Sequence, residues 1–197
     1  MRIIQSYLQE SKNWSDFYLV TSNENKLKEY KSFGLPIHKI EKGKDLPEVD
    51  GTPLEVVIHK AKDAGTKRII EDTSFHVKGK DIGINIRWLL KEIPKLAGSE
   101  ATWQVLIGLN DGEEIKIYEG IVKGILVKPS YKVDETKSFG FDPFFKPNGS
   151  DKTLEELGKD KVKYSSRKIA ITNLLKDKHI HKIKLSKIPV WKGKYQH

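Results

Sequence analysis

Arg68-Ile69-Ile70-Glu71-Asp72-Thr73-Ser74 is a β-branched apolar run that delivers two adjacent carboxylates at its C-terminal end. Bounded by polar residues, it reads as a short buried strand, and neighbours on a strand point to opposite faces. Glu71 and Asp72 therefore occupy different environments, one facing a site and the other supporting it. An ionised, partly desolvated carboxylate there can bind a hard divalent cation or take a proton from water. The plainer alternative is a solvated strand end followed by a turn.

The chain before this strand sets its class. Thr52-Pro53-Leu54-Glu55 forms a capping box with proline at the first helical position. The helix it starts carries Leu54, Val57, Ile58 and Ala61 on one stripe, which leaves Lys60 and Lys62 to solvent. Ahead of it lies the acidic loop Asp45-Leu46-Pro47-Glu48-Val49-Asp50-Gly51. Earlier still, Phe17-Tyr18-Leu19-Val20-Thr21 reads as a buried strand, with Ser22 or Asn23 capping a helix marked by Lys26, Leu27, Tyr30 and Phe33. A strand, tight turn and helix present backbone N–H groups to an anion. Lys26 in the first helical turn opposes the helix dipole unless an anion sits nearby, although an ordinary turn with an exposed lysine fits the same residues. The alternation of strands and helices gives an α/β class.

Downstream, residues 84–95 carry Ile86, Leu89, Leu90 and Ile93 at helical spacing, with Arg87 and Trp88 on the same helix. A second helix, capped by Ser99, takes in Trp103, Val105, Leu106 and Leu109 and stops at Asn110-Asp111-Gly112. Residues 114–118 and 121–127 read as a hairpin that turns near Gly120. Four phenylalanines, a glycine and two prolines in residues 138–147 demand a fixed loop. Their rings with Asp142 suit a nucleobase, or they are core. Thr153 to Glu156 is another capping box. Lys161, Lys163 and Arg167 cluster at the start of a helix capped by Ser165, an arrangement that repels itself unless an anion is bound and so favours phosphate. Residues 179–195 alternate loosely as an edge strand, in which His179 and His181 suit a surface better than a metal pair.

Composition bounds these readings. The length of 197 residues suits one domain, or two lobes sharing a sheet: a polar lead-in over 1–16, a domain over 17–178 and an extension over 179–197. The absence of cysteine excludes disulfides, thiolate catalysis and Cys-based zinc sites. No apolar run approaches the roughly 20 residues of a spanning helix, and the first 17 residues are too polar for a signal peptide, so a cytoplasmic protein with no membrane contact is expected. Of the net charge of +9, residues 159–197 hold 12 Lys/Arg against 2 Asp/Glu, which leaves 24 against 25 elsewhere. This basic segment suits nucleic acid or a small polyanion such as a nucleotide. Glycine loops of the Walker type and HExxH helices are both missing.

Taken in order, these stretches resemble the inosine/xanthosine triphosphate pyrophosphatase family. Thr21, Asn23 and Lys26 match its T-x-N-x-x-K opening, and Leu46-Pro47-Glu48 its LPE loop. Lys60 matches its helix lysine and Glu71-Asp72-Thr73 its acidic strand end. Phe139-Gly140-Phe141-Asp142-Pro143 matches its aromatic loop in full, with Asp151-Lys152-Thr153 following. The resemblance implies a long mixed sheet with helices forming two lobes around a nucleotide cleft. It implies hydrolysis of aberrant triphosphates such as ITP, dITP or XTP to the monophosphate and pyrophosphate, and commonly a homodimer. Glu48 and Asp72 would hold Mg²⁺, with Asp72 as the base and Glu71 supporting the metal shell. Thr21, Asn23, Lys26, Lys60 and Thr73 would hold the triphosphate, and Arg87 stands where some members have a contacting lysine. Phe139, Gly140, Phe141, Asp142, Lys161, Ser166 and Arg167 would form the base and ribose end.

The chain departs from the pattern in three places. Ser165-Ser166-Arg167 replaces the family's S-H-R, which removes the histidine that helps read the purine. The family's Gly/Pro-rich turn is reduced to Lys80-Asp81-Ile82-Gly83-Ile84-Asn85. The basic tail after Lys176 runs past the usual end. Two other functions therefore stay open: the same chemistry with altered base preference, and a nucleic-acid-binding module on this fold.

Overall fold

The computed structural model describes residues 13–42, 46–79, 92–133 and 140–196. Among these, a seven-stranded mixed sheet is built from β1 (Tyr18–Val20), β2 (Lys39–Glu41), β3 (Arg68–Val77), β4 (Glu100–Asn110), β5 (Glu114–Leu126), β6 (Phe145–Pro147) and β7 (His181–Lys184). The helices are α1 (Glu24–Ser32), α2 (Pro53–Ala64), α3 (Leu154–Leu157) and α4 (Ser166–Leu175). Strand order is β2-β1-β3-β4-β5-β6, with β7 also on β5. β1 pairs in parallel with β2 and β3, and the pairs from β3 onward are antiparallel. The fold is α/β, as the order of elements implies.

β3 is central because both of its faces are covered. Ile69 packs in a cluster with Leu27 and Tyr30 of α1 and Ile171 and Leu174 of α4. Ile70, pointing the other way, packs with Val57, Ile58 and Ala61 of α2. Beyond the acidic pair, Phe75 and Val77 join Phe141 and Phe145 in a third cluster. The caps fall where their residue types place them. Asn23 accepts from the Asn25 and Lys26 amides, Thr52 and Thr153 form full capping boxes, and the Ser165 hydroxyl accepts from the Lys168 amide.

Two expectations are overturned between Ser99 and Val127. Residues 100–110 form β4, the antiparallel partner of β3, and not a helix. Helices cover both faces of this strand, so its last six residues are all buried and the two-residue alternation that marks a half-exposed strand disappears. The hairpin turns at Asp111–Gly112, not at Gly120, and residues 114–126 are one continuous strand. Most of the helix expected over 84–95 lies outside the described residues, and Ile93–Leu96 is a single 3-10 turn.

Gly120 has a packing reason. A Cβ there would sit 1.9 Å from the Ser166 carbonyl oxygen and 2.7 Å from the Ala170 nitrogen, so α4 lies directly on the bare strand. On the opposite face Gly108 admits α2, where a Cβ would meet the Ala61 Cβ at 3.0 Å. The far edge of β5 is shared: β7 takes Glu114 to Ile117 and β6 takes Gly124 to Leu126. Between them the Asn173 side chain donates to the Glu119 carbonyl at 2.8 Å, and the Asn148 amide to that of Lys123 at 2.9 Å.

Gly120→Ala must lift α4 off the sheet, so it is expected to cost about 3 kcal/mol or more, the upper end for overpacking a core. Urea denaturation of the variant against the native chain measures this. An unchanged midpoint would contradict the close approach.

Candidate functional site

The acidic pair at the middle of β3 feeds two separate charge clusters, one on each face. Glu71 is buried beneath α1 and α4. Its Oε2 accepts from Arg167 Nε at 2.7 Å, and its Oε1 accepts from Arg167 NH2 at 2.9 Å and from the Thr73 hydroxyl at 2.8 Å. Lys26 Nζ stands 3.1 Å from Oε1. Four donors thus surround the carboxylate, three on Oε1 and one on Oε2. Glu29 closes the cluster by pairing with Arg167 NH1. Burial works to neutralise Glu71, but Lys26 and Arg167 outweigh it and hold the carboxyl well below its ordinary range.

On the other face, Lys60 of α2 reaches two carboxylates with one ammonium. Its Nζ donates to Glu48 Oε1 at 2.7 Å and to Asp72 Oδ1 at 3.2 Å. The helical stripe left this lysine to solvent, yet its side chain is only 14% exposed. Burial opposes the charge on Lys60, while Asp72 and Glu48 together raise its pKa above the ordinary 10.5. Burial also raises the Asp72 carboxyl above its ordinary value, with Lys60 pulling the other way. Among the described residues, the buried Asp72 Oδ2 has no hydrogen-bond partner. A buried oxygen left open in this way is costly, and it is where a cation or a water proton would be received.

This donor set fits Mg²⁺. The ion takes oxygen ligands and usually uses one or two carboxylates together with substrate phosphates. Glu48 and Asp72 supply two carboxylates already gathered around a positive charge, and Asp72 keeps an oxygen open. No larger cluster of His, Asp or Glu suited to a metal occurs among the described residues, His179 and His181 included. His179 instead stands edge-on to Tyr118 with ring centroids 6.4 Å apart.

The remaining residues singled out from the sequence divide by position. Thr21 and Asn23 build the turn before α1: the Asn23 amide donates to Thr21 Oγ1 at 3.1 Å, and Asn23 caps the helix. Lys26 finds its anion in Glu71. Asp142 is buried and pairs with Lys161 at 2.7 Å, while burial raises its carboxyl above the ordinary value. Gly140 turns the chain with φ of 54°. The Phe141 ring is core, stacked on Phe75 at 4.2 Å and edge-on to Trp103 and Phe145. Arg87 and Phe139 lie outside the described residues.

Ser166 faces away from both clusters. Its buried hydroxyl lies 2.6 Å from the Gly120 carbonyl oxygen and 3.0 Å from that of Trp103, and ties α4 to the sheet. The basic cluster before α4 also carries its own anions, since Arg167 meets Glu71 and Glu29, Lys161 meets Asp142, and Lys163 meets Asp160. It does not by itself require a bound phosphate.

Sequence reasoning missed Glu29, although its spacing of three from Lys26 places both on one face of α1. It also missed the chain's last described residues, which pair with the Glu48 loop: Val49 and Tyr195 form an antiparallel bridge.

Fold and site define an α/β protein whose central strand presents one carboxylate to an internal ion-pair network and the next to a lysine and an acidic loop, with one of its oxygens unpartnered among the described residues. The chain belongs to the Ham1 family, whose model matches residues 17–177. It is 31% identical over 184 residues to an inosine triphosphate pyrophosphatase of Batrachochytrium dendrobatidis, covering 80% of this chain and 90% of that one. It is 29% identical over 159 residues to an inosine triphosphate pyrophosphatase of Scheffersomyces stipitis, covering 70% and 78%. A Candida albicans relative of the same name is 32% identical over 142 residues. No helix among the described residues is long and apolar enough to cross a membrane.

Glu71→Gln leaves Arg167 short of charge in a buried place and is expected to cost about 3–5 kcal/mol at neutral pH. A carboxyl depressed in the folded state stabilises above its unfolded value of 4.5, and that stability is lost as pH falls below it. Denaturant midpoints at pH 7, 5 and 3 should therefore drop steeply for the native chain and less for Glu71→Gln. Parallel curves would contradict the assignment.

Proposed function

We propose that this chain is a Mg²⁺-dependent nucleoside triphosphate pyrophosphatase that hydrolyses ITP, dITP or XTP to the monophosphate and pyrophosphate. The observation that carries the reading is the Asp72 carboxylate, buried on β3 with Lys60 and Glu48 on one oxygen's side and its other oxygen open. Its support from comparison is the family and the names its relatives bear.

Glu48 and Asp72 would hold the metal, which when bound supplies charge neutralisation for the phosphate oxygens. Lys60, freed from its carboxylates, turns its ammonium to the triphosphate. Lys26 stands at the capped start of α1, and its ammonium, 3.1 Å from Glu71, lies where the positive end of the helix also favours a phosphate. Asp72 takes a proton from the attacking water as that oxygen bonds to the α-phosphorus. The α–β bridging bond breaks and pyrophosphate leaves. A carboxyl whose pKa is raised by burial is a better base than an exposed one, as this step needs.

Pyrophosphate release from a nucleotide panel tests the reaction. Release is expected with Mg²⁺ and none with EDTA, and Asp72→Asn should lower turnover by about 10²-fold or more. Because ionised Asp72 is held against the cost of burial, Asp72→Asn should unfold at a denaturant concentration no lower than the native chain. A fully active Asp72→Asn variant would sink the assignment of the base.

Ser166 supports a second reading of the same chemistry, with relaxed base preference. Its hydroxyl is committed to main-chain carbonyls of the sheet, so it offers no donor to a purine edge. Losing one positioned donor is worth about 1–3 kcal/mol, so the ratio of ITP to GTP turnover is expected to shrink by about 5- to 150-fold against a relative that keeps the histidine. Measured kcat/KM ratios for ITP, XTP, GTP and pyrimidine triphosphates decide it. A ratio as large as the relative's would rule the relaxed reading out.

A further inference from the structure

The segment beyond the family's match has a defined path. After β7 the chain crosses the outer side of α2. Ile188 is 7% exposed and joins the α2 core, and its carbonyl accepts from Lys62 Nζ at 3.4 Å. The Trp191 ring stands edge-on to His59 with centroids 5.4 Å apart, and it closes over Gly51, where a Cβ would come within 3.0 Å of the indole. The indole N–H donates to the Lys194 carbonyl at 2.8 Å, which curls the chain back toward residues 48–50.

There the tail pairs with the acidic loop in antiparallel fashion, Tyr195 opposite Val49. The Asp50 amide donates to the Lys194 carbonyl at 2.9 Å, and the Gln196 amide donates to the Glu48 carbonyl at 2.7 Å. The Gln196 side-chain Nε2 donates to the Val49 carbonyl at 3.0 Å. Among the described residues, the other backbone bond within residues 48–51 is the local Gly51 to Val49 contact. The conformation of the segment carrying Glu48 is therefore set largely by residues more than 140 positions away.

We propose that residues 188–196 form a strap that positions Glu48 for divalent-cation binding. The proposal rests on the Mg²⁺ reading of Glu48 and Asp72. Glu48 stands on a loop, unlike Asp72 on a central strand, and a carboxylate on a loop binds a cation well only if its backbone is held before the ion arrives. The strap holds it by bonding the carbonyl of Glu48 itself, the Val49 carbonyl and the Asp50 amide, and Trp191 anchors the strap to α2, the helix that also carries Lys60. Trp191, Tyr195 and Gln196 are thus positioning residues: they touch the loop, and the loop presents the carboxylate.

The test compares the full chain with a truncation after Lys192 and with Gln196→Pro, which removes the N–H given to Glu48 while leaving Trp191 seated. Mn²⁺ binding to the nucleotide-free protein is measured by calorimetry, amide exchange at residues 49–51 by mass spectrometry, and pyrophosphate release as a function of Mg²⁺. The truncation is expected to weaken Mn²⁺ binding by about 10- to 100-fold, the usual effect of removing partners of a metal ligand. Gln196→Pro should follow in the same direction. Exchange at residues 49–51 should accelerate while that of β4 stays unchanged, and turnover should recover at saturating Mg²⁺. Faster exchange with unchanged Mn²⁺ affinity would reduce the strap to a structural contact and overturn the proposal, as would no change in either. If the truncation also loosens β4, Gln196→Pro alone decides. A full-length chain that binds no Mn²⁺ overturns the metal reading and the strap with it, whereas equal binding by all three proteins overturns the strap alone.

Discussion

The structure depends on an ion pair at the centre of the sheet, the Arg167 guanidinium laid against the Glu71 carboxylate. Removing either charge alone would leave its partner in a place where an unpaired ion is costly, so the two elements that carry them are bound to each other. Arg167 lies in the first turn of α4, and it can reach β3 only if α4 lies close on the sheet. Gly120 provides that approach, and Ser166 fastens it through the strand's own carbonyls. Lys26 and Glu29 then bring α1 to the same point, so one buried cluster sets how both helices of this face sit.

The alternation of a strand makes the second face follow from the first. With Glu71 fixed beneath α1 and α4, Asp72 has to face α2, where the protein supplies only part of what a carboxylate needs. One of its oxygens has Lys60, and the other has no partner among the described residues. The two neighbours thus differ: Glu71 is surrounded by donors and contributes to stability, whereas Asp72 is held with one buried oxygen unpartnered among the described residues, at a cost. Sites of this kind are where stability and activity trade against each other.

The parts legible in the sequence were those fixed locally. The run Ile69-Ile70-Glu71-Asp72 announced a strand with divided carboxylates, and Thr52, Thr153 and Ser165 announced helix starts, because alternation and capping act within a few residues. Residues 100–110 mimic a helix in the sequence because burial on both faces erases the period of two, and Trp103, Val105, Leu106 and Leu109 then fall on a helical stripe. Gly120 mimics a turn because a glycine in sequence does not say whether the chain bends or a helix comes close. Helical periodicity alone leaves Lys60 to solvent because its partners, Glu48 and Asp72, each lie 12 positions away on other elements. The aromatic loop posed a choice between core and site, and its Phe141 ring went to the core. The tail's pairing with Val49, 146 to 147 residues distant, had no local signal at all.

The divided outer edge of β5 has a consequence for how the molecule behaves among its neighbours. A long strand on the rim of a sheet exposes a row of unpaired amides and carbonyls, and any passing extended chain can dock on it. Here the row is covered by β7 at one end and β6 at the other, and broken between them by the Asn173 side chain on the Glu119 carbonyl and the Asn148 amide on that of Lys123. At the opposite rim β2 has three residues, Lys39, Ile40 and Glu41, two of them charged. A sheet with its long rim largely occupied and its other rim short and charged gives stray strands little to extend.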